Sequence, residues 1–117
     1  MREQDSIAVT TMYGHKLVNP NDILFIKGDG SYSVIHFKEG SLMLSKNIGA
    51  VAELLRDSNF IRVHKSYIVN ADKIKELHRE DGGYLILSQR NLLIPLGSDK
   101  RKRIVFEYLK SLFNYIK

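Results

Sequence analysis

Short β-type runs separated by turn residues occupy most of the first half of the chain after residue 6. These runs cover residues 7–11, 15–18, 23–26, 32–37 and 42–44. Glycine, asparagine and proline stand between the runs, which is typical of turns that reverse the chain between neighbouring strands. The pattern predicts an opening hairpin, followed by a buried strand at residues 23–26 and further short strands.

Two stretches change to a helical period of about 3.6 residues. The first places Ile48, Val51, Leu54 and Leu55 on one face, after Asn47 as N-cap. The second places Val105, Leu109, Leu112 and Ile116 on one face, widened by Tyr108 and Phe113, after a cap at Ser98 or Asp99. Strand-type runs lie between them at residues 60–64, 66–69, 73–77, 84–87 and 92–94. The sequence therefore predicts an α+β fold, mainly β with one mid-chain helix and one C-terminal helix.

The 117 residues predict a single domain over residues 1–117. Hydrophobic residues make up 44% of the chain, which is enough for a folded core. There is no cysteine, so disulfide scaffolds, thiolate zinc sites and cysteine nucleophiles are excluded. No apolar run approaches the ~18 residues that a membrane span needs. We expect a cytoplasmic protein with no membrane partner.

The net charge of +5 is concentrated near the C-terminus. The last twenty residues hold six basic and two acidic side chains, including the run Lys100-Arg101-Lys102-Arg103. Such a run can bind a phosphate polymer, and it can equally be a solvated helix start. Cations at a helix N-terminus oppose the helix dipole, which favours an anionic partner.

Catalytic and metal chemistry find little support in the sequence. The four histidines, His15, His36, His64 and His78, stand in separate segments, and no pair has the spacing of a zinc motif. The Gly28-Asp29-Gly30 segment lacks the third glycine and the following helix of a phosphate-binding loop, so a tight hairpin is the better interpretation. We expect no enzyme activity, no cofactor and no metal.

The block Arg62-Val63-His64-Lys65-Ser66-Tyr67-Ile68-Val69-Asn70 places a polar run between apolar positions. This run is a strand end, a bulge or an exposed corner. Its side chains offer donors to phosphates and to guanine base edges, and Tyr67 can pack or stack. An ordinary exposed strand corner is the alternative that the block alone leaves open.

Taken together, these segments resemble the LytTR-type DNA-binding domain. The resemblance rests on Ile23-Leu24-Phe25-Ile26 followed by Gly28-Asp29-Gly30-Ser31-Tyr32, a helix, the block at residues 62–70, and Ile94-Pro95 before a basic helix. It covers about residues 7–112. It implies an elongated fold of small antiparallel sheets and a role as the output domain of a bacterial transcription regulator, commonly behind a receiver domain. Loops of that fold read successive major grooves.

The resemblance also implies which residues contact DNA. Base contacts fall by register on Tyr32, Lys65 and Ser98. Family members commonly have arginine at the last of these positions, in a Pro-Val-Ser-Arg pattern, whereas this chain reads Pro95-Leu96-Gly97-Ser98. Either Lys100 or Arg101 reaches the groove instead, or both serve only phosphates, and Arg101 is therefore a further base-contact candidate. The phosphate-contact candidates are Lys27, Ser31, Arg62, His64, Ser66, Lys100 and Lys102.

The predicted partner is double-stranded DNA, with a homodimer on repeated half-sites and a receiver domain or sensor partner as further expectations. Two other functions stay open. One is a protein-interaction module with the same fold, which the arginine missing at Ser98 favours. The other is RNA binding through aromatic stacking on a β-surface. This alternative is weaker, because the aromatic residues form no recognisable paired motif: Phe25, Tyr32, Tyr67 and Tyr84. The predicted core residues are Ile23, Phe25, Val34, Leu54, Ile61, Val63, Ile68, Leu85 and Ile94.

Overall fold

The computed structural model describes residues 6–56 and 58–112, and its described elements are ten strands and two α-helices. The strands are β1 (Ile7–Thr11), β2 (Gly14–Val18), β3 (Ile23–Asp29), β4 (Tyr32–Phe37), β5 (Ser41–Leu44), β6 (Phe60–His64), β7 (Tyr67–Asn70), β8 (Ile74–His78), β9 (Tyr84–Leu87) and β10 (Leu93–Pro95). The helices are α1 (Ile48–Leu54) and α2 (Asp99–Leu112). Single 3-10 turns at Pro20–Asp22 and Ala71–Lys73 lead into β3 and β8.

The strands form three antiparallel sheets. β1 and β2 form the predicted opening hairpin, and a central five-stranded sheet has the order β5-β4-β3-β7-β6. The third sheet has the order β10-β9-β8. The molecule measures 48 × 32 × 25 Å. This architecture confirms the predicted elongated, mainly β fold with one mid-chain and one C-terminal helix.

The middle of the central sheet is covered on both faces, which explains the continuous apolar runs of β3 at residues 23–26 and of β7 at residues 68–69. One face packs against the β1–β2 hairpin and α1, and its core is Val9, Val18, Ile23, Ile26, Ile35, Leu44, Val51, Leu55 and Ile68. The other face packs against the three-stranded sheet and α2, and its core is Leu24, Phe25, Ile61, Val63, Val69, Ala71, Leu85, Leu87, Ile94, Leu96, Val105 and Leu109. Successive strand residues point to opposite faces, so neighbours such as Ile68 and Val69 serve different cores.

Both helices begin at the residues that the sequence predicts. The Asn47 side-chain oxygen accepts a hydrogen bond from Ala50 N at 2.9 Å, and the Ser98 hydroxyl accepts one from Arg101 N at 3.4 Å. Each satisfies a backbone N–H of a first helical turn. In α2, Val105 and Leu109 are buried as predicted. The side chain of Leu112, and Phe113 and Ile116 altogether, lie outside the described residues.

Three details differ from the sequence-based expectation. Strand β3 continues through Gly28 to Asp29, so the turn lies at Gly30 and Ser31. Val34 is only half-buried, because the alternation of β4 turns Ser33 and Ile35 toward the α1 side. Leu54 is 70% exposed, because α1 ends there and packs through Val51 and Leu55. The predictions of Val34 and Leu54 as core residues are therefore wrong, and the other seven are confirmed.

A helix long and apolar enough to cross a membrane is absent from residues 6–56 and 58–112.

Replacing Leu109 by alanine is expected to destabilise the fold by about 2–5 kcal/mol, because its buried side chain fills the core between α2 and the central sheet. Ile104→Ala is the matched control, since Ile104 is half exposed on the same helix and should change stability little. Urea unfolding followed by circular dichroism measures both. Equal effects of the two substitutions would show that α2 does not pack through Leu109.

Candidate nucleic-acid interface

Three polar loops meet at one end of the central sheet. We call them the first loop (residues 29–32, between β3 and β4), the second loop (residues 64–66, between β6 and β7) and the third loop (residues 97–101, at the start of α2). Gly28 N donates to Ser66 O at 2.9 Å, which ties the first loop to the second. Gly97 N donates to Val63 O at 2.9 Å, which ties the second loop to the third. The second loop therefore lies between the other two.

The second loop is braced from within by two hydrogen bonds. Arg62 donates from Nη2 to the Lys65 carbonyl at 2.7 Å, and Ser66 donates from its backbone N to Nδ1 of His64 at 3.0 Å. The register between β6 and β7 shifts between Arg62 and His64, and the chain turns at Lys65 and Ser66. Lys65 is exposed at the turn, with its backbone fixed on both sides. No ion pair within the described residues holds its ammonium.

The Arg62 side chain stabilises the second loop from the end of β6. It is half-buried, and its Nε is buried with no partner among the described residues, while Nη2 supports the Lys65 carbonyl. Burial, and then the neighbouring Arg101 guanidinium, lower the pKa of Arg62 from its usual value. Arg101 in turn donates from Nη1 to the Arg62 carbonyl at 3.4 Å. The two arginines thus support the second loop from below and from the α2 side.

Tyr67 anchors the other flank of the second loop. Its ring lies 6.1 Å from the Phe25 ring and 5.6 Å from the His64 ring, measured between centroids. The exposed Lys27 ammonium lies 5.8 Å from the Tyr67 centroid, within the range of a cation–π contact. Lys27 therefore lies beside the second loop on the sheet surface, and its contact with a phosphate stays a prediction.

The first loop is a tight turn at the end of the β3–β4 hairpin. Asp29 pairs with Tyr32, and Gly30 takes the left-handed conformation with φ of 61°. Ser31 is exposed, and Tyr32 is 49% exposed, so half of the tyrosine surface is available to a ligand. Gly28, just before the turn, lies against Ile48 of α1, and a Cβ there would come within 2.9 Å of the isoleucine side chain.

The third loop approaches the second loop closely because Gly97 has no side chain. A Cβ at Gly97 would lie 3.1 Å from His64 Cα and 3.2 Å from Arg101 Cδ. Sequence reasoning noted Gly97 only as the residue before a helix. A glycine directly before a cap residue is a signal of close backbone approach, but it does not say which segment approaches.

The basic residues of α2 point in different directions. Lys100 is exposed beside the cap Ser98, whereas Arg101 lies against β6. Lys102 lies 3.9 Å from Asp99 and lines the same hollow as Arg79 and Phe106, on another side of the helix. The structure therefore brings ten of the eleven candidate residues to the three loops or the adjoining sheet surface, and it places Lys102 beside them. Two carboxylates, Asp29 and Asp99, also lie at these loops.

The surroundings of His64 favour the neutral form of its ring. The pKa of His64 is lowered from its usual value of 6.5. Burial is the largest cause, and the positive charges of Lys65 and Arg101 add to it. The unprotonated Nδ1 is also the atom that accepts from Ser66 N. The neutral form is therefore the one that completes the second loop.

His78 has the opposite environment, on the β8–β9 hairpin. Its Nε2 lies 2.8 Å from Glu76 Oε1 and its Nδ1 lies 3.3 Å from Glu80 Oε1. The hydrogen bond to Glu76 is the largest cause that raises the pKa of His78. No group of three or more histidine, aspartate or glutamate side chains that could hold a metal ion is found among the described residues.

Comparison with protein-family models matches residues 13–109 to the LytTr DNA-binding domain. This match covers most of the chain, including all three loops. The chain belongs to the LytTR family of DNA-binding domains. The shared fold is also seen in a solved structure, the LytTr DNA-binding domain of a Bacillus cereus protein described as a methyl-accepting/DNA response regulator. The TM-score is 0.74 at 19% sequence identity, and the likeness covers 90% of this chain and 96% of that one.

Curated relatives of this LytTR domain are bacterial regulators. The chain is 28% identical over 91 residues to the CO-responsive transcriptional regulator RcoM of Rhodospirillum rubrum. That alignment covers 76% of this chain and 39% of RcoM. The chain is 34% identical over 74 residues to the sensory transduction protein LytT of Oceanobacillus iheyensis, which covers 62% and 30%. LytT of Bacillus subtilis matches at 28%, over 63% of this chain and 31% of that protein. The chain therefore spans less than two fifths of the length of these relatives.

We expect His64 to titrate below pH 6.5 and His78 above it, because the first is desolvated near cations and the second is bonded to carboxylates. The lowered pKa means that the folded state binds fewer protons than the unfolded state between the two pKa values of His64. Its contribution to stability is therefore present above pH 6.5 and is lost as the pH falls through the folded pKa. NMR titration of the histidine ring protons measures both values. A His64 pKa at or above 6.5 would contradict the neutral, Ser66-bound ring.

Proposed function

We propose that this LytTR domain reads a specific sequence in double-stranded DNA as the output domain of a bacterial transcription regulator. The observation that carries the proposal is Lys65, an exposed ammonium on a turn whose backbone is fixed by Arg62 and His64. Base readout needs a donor held at a defined position, whereas a phosphate contact tolerates a mobile lysine. The braced second loop meets that requirement.

The first loop extends the same surface. Its centre lies two strand spacings from the second loop, which is roughly 10 Å. A major groove is about 12 Å wide, so side chains from two such loops can approach neighbouring base pairs. Tyr32 offers a hydroxyl and a ring face there, and Lys27 and Ser31 offer donors to the flanking phosphates. We assign these three residues to DNA contact on this basis.

The third loop is assigned one base contact and one phosphate contact. The hydroxyl of Ser98 is engaged as the cap of α2, and the residue is too short to replace a groove-reading arginine. Arg101 is the long side chain nearest the second loop, since it reaches the Arg62 carbonyl. We therefore propose Arg101 rather than Ser98 as the base-contact residue of this loop, with Lys100 on a phosphate. Lys102, paired with Asp99, contributes less.

The biological setting is proposed by analogy with the relatives. RcoM is named as a transcriptional regulator and LytT as a sensory transduction protein, and both are longer than this chain. We propose that a receiver or sensor unit controls this domain, within a longer chain or as a partner, in the cytoplasm. A homodimer on repeated half-sites follows from the same proposal, because paired half-sites double the contacts that one domain makes.

A protein-interaction module without DNA reading is the second candidate. The observation in its favour is Ser98, which caps a helix where family members commonly have a groove-reading arginine. Such a module would bind duplexes through charge alone, with no preference among sequences. The two candidates therefore differ in discrimination rather than in total affinity.

The proposal predicts strongly salt-dependent binding to duplex DNA. About 4–6 phosphate contacts should give a slope of log K against log[salt] of roughly −4 to −5, because each neutralised phosphate releases counterions. Fluorescence anisotropy titrations at several salt concentrations measure it. A slope near zero would remove DNA binding from the account.

Lys65→Ala is predicted to lower discrimination between a preferred duplex and a scrambled one. The loss should be about 1–3 kcal/mol on the preferred duplex and much less on the scrambled one, because only the first offers the correct base edges. Paired titrations at one salt concentration give the ratio of the two affinities.

Lys100→Ala is the matched control, since Lys100 is an exposed lysine of the third loop. It should weaken both complexes together and leave their ratio unchanged. Equal losses on both duplexes for Lys65→Ala would instead assign Lys65 to the backbone and leave base reading to Tyr32 or Arg101.

A further inference from the structure

An apolar cavity of about 130 Å³ lies on the side of the central sheet away from α2. Its walls come from three elements: β1, the α1 face of the central sheet, and α1. The lining residues that are buried are Val9, Ile23, Ile26, Ile35, Leu44, Val51 and Leu55. None of these residues takes part in the three DNA loops. The cavity is therefore a feature that DNA recognition does not explain.

The cavity has an opening as well as a floor. Four of its other lining residues, Ala8, Thr10, Lys46 and Leu54, are exposed. Leu54 is the α1 leucine that the sequence assigned to the core and that the structure leaves 70% exposed. Its position at the rim adds apolar surface where a bound molecule would leave the cavity. A ligand can thus enter from solvent without the core having to open.

The lining specifies the chemistry of the ligand. Apolar cavities of about 150 Å³ lined by aliphatic side chains exclude water and take up molecules the size of benzene. Lys46 is the one charged residue among the described lining, and no carboxylate faces it there. A lysine can lay its stem along apolar surface and keep its ammonium in water at the rim. The ligand that fits has a small apolar body and a single negative charge.

We propose that this cavity is a binding site for a small apolar carboxylate, of the class of benzoate or a short branched-chain acid. The apolar body occupies the space between Ile26, Ile35 and Val51, and the carboxylate lies at the rim near Lys46. The wall formed by α1 begins at Ile48, the residue that lies against Gly28 below the first loop. An occupant of the cavity is therefore one short helix away from the DNA surface.

Titration of the full chain with benzoate, and separately with benzyl alcohol, tests the site. Methyl NMR signals of Ile26, Ile35 and Val51 should shift saturably with both probes, while those of Leu85 and Val105 in the other core should not. The expected dissociation constant for benzoate is on the order of 1 mM, within the range of ligands of this size. Absence of saturable shifts with both probes up to about 20 mM overturns the proposal.

Substitution of Lys46 at the rim tests how much its charge contributes to ligand binding, and substitutions in the wall test the contribution of the cavity volume. Lys46→Gln should weaken benzoate binding by about 2–5-fold and leave benzyl alcohol unchanged, because an exposed ion pair contributes modestly. Lys38→Gln is the matched control, an exposed lysine on the β4–β5 turn outside the cavity. An equal response of benzoate to both lysine substitutions would overturn the assignment of the carboxylate to Lys46.

Val51→Ile narrows the cavity from the helix, and Val9→Ile narrows it from β1 at a strand position that tolerates a β-branched side chain. Either variant should weaken both probes at least fivefold. Because Val9 lies on the separate β1–β2 hairpin and the change adds one methylene, its variant keeps the test available if Val51→Ile unfolds the chain. Unchanged affinity in both folded variants would place the probes elsewhere and overturn the proposal.

Discussion

The pairing of β7 with β3 is the interaction on which the rest of the structure depends. It aligns Phe25 with Val69, Ile26 with Ile68 and Lys27 with Tyr67 at the centre of the five-stranded sheet. Ile68 packs in the core on the α1 side and Val69 in the core on the α2 side, so this short strand is buried on both sides. The same pairing places the start of β7 beside the end of β3. The first and second loops are neighbours for that reason.

The third loop depends on a second contact, the approach of Gly97 to β6. The hydrogen bond from Gly97 N to Val63 O and the missing Cβ let the start of α2 reach the second loop. Burial of Val105 and Leu109 then holds the rest of the helix on the sheet. Core packing on the α2 side and the surface formed by the three loops are thus parts of one arrangement. A substitution at Gly97 acts on the loops, whereas one at Leu109 acts on the fold.

Much of the fold was predictable because local patterns and tertiary packing agree. The cap Asn47 and the buried run at residues 23–26 follow from residue type and spacing alone, whereas spacing left Ser98 and Asp99 as alternative caps of α2 and the structure shows Ser98. The prediction of Leu54 as a core residue was wrong. A seven-residue helix buries only a narrow stripe of side chains, and here the buried positions are Val51 and the adjoining Leu55. Which partner each strand chooses depends on long-range contacts, such as Asn70 Nδ2 donating to Ile23 O at 2.9 Å.

The candidate site was predictable by residue type and less so by role. Residues 62–70 stood out in the sequence because polar side chains interrupt apolar ones, and in the structure two of these polar side chains hold the second loop. Arg62 and His64 bind backbone groups within the second loop, which no spacing rule shows in advance. Because Arg62 and His64 are used to hold the backbone, Lys65 is the exposed side chain of the second loop. The claim that a braced loop supports base reading therefore rests on this one position.

Selection of bound duplexes from a random pool by the unmodified chain tests that claim most directly. A braced reading loop predicts that successive rounds recover one short recurring motif, bound more tightly than the starting pool at the same salt concentration. A pool that stays random while salt-dependent binding persists would contradict the account. The surface would then be an electrostatic one that holds DNA without reading it.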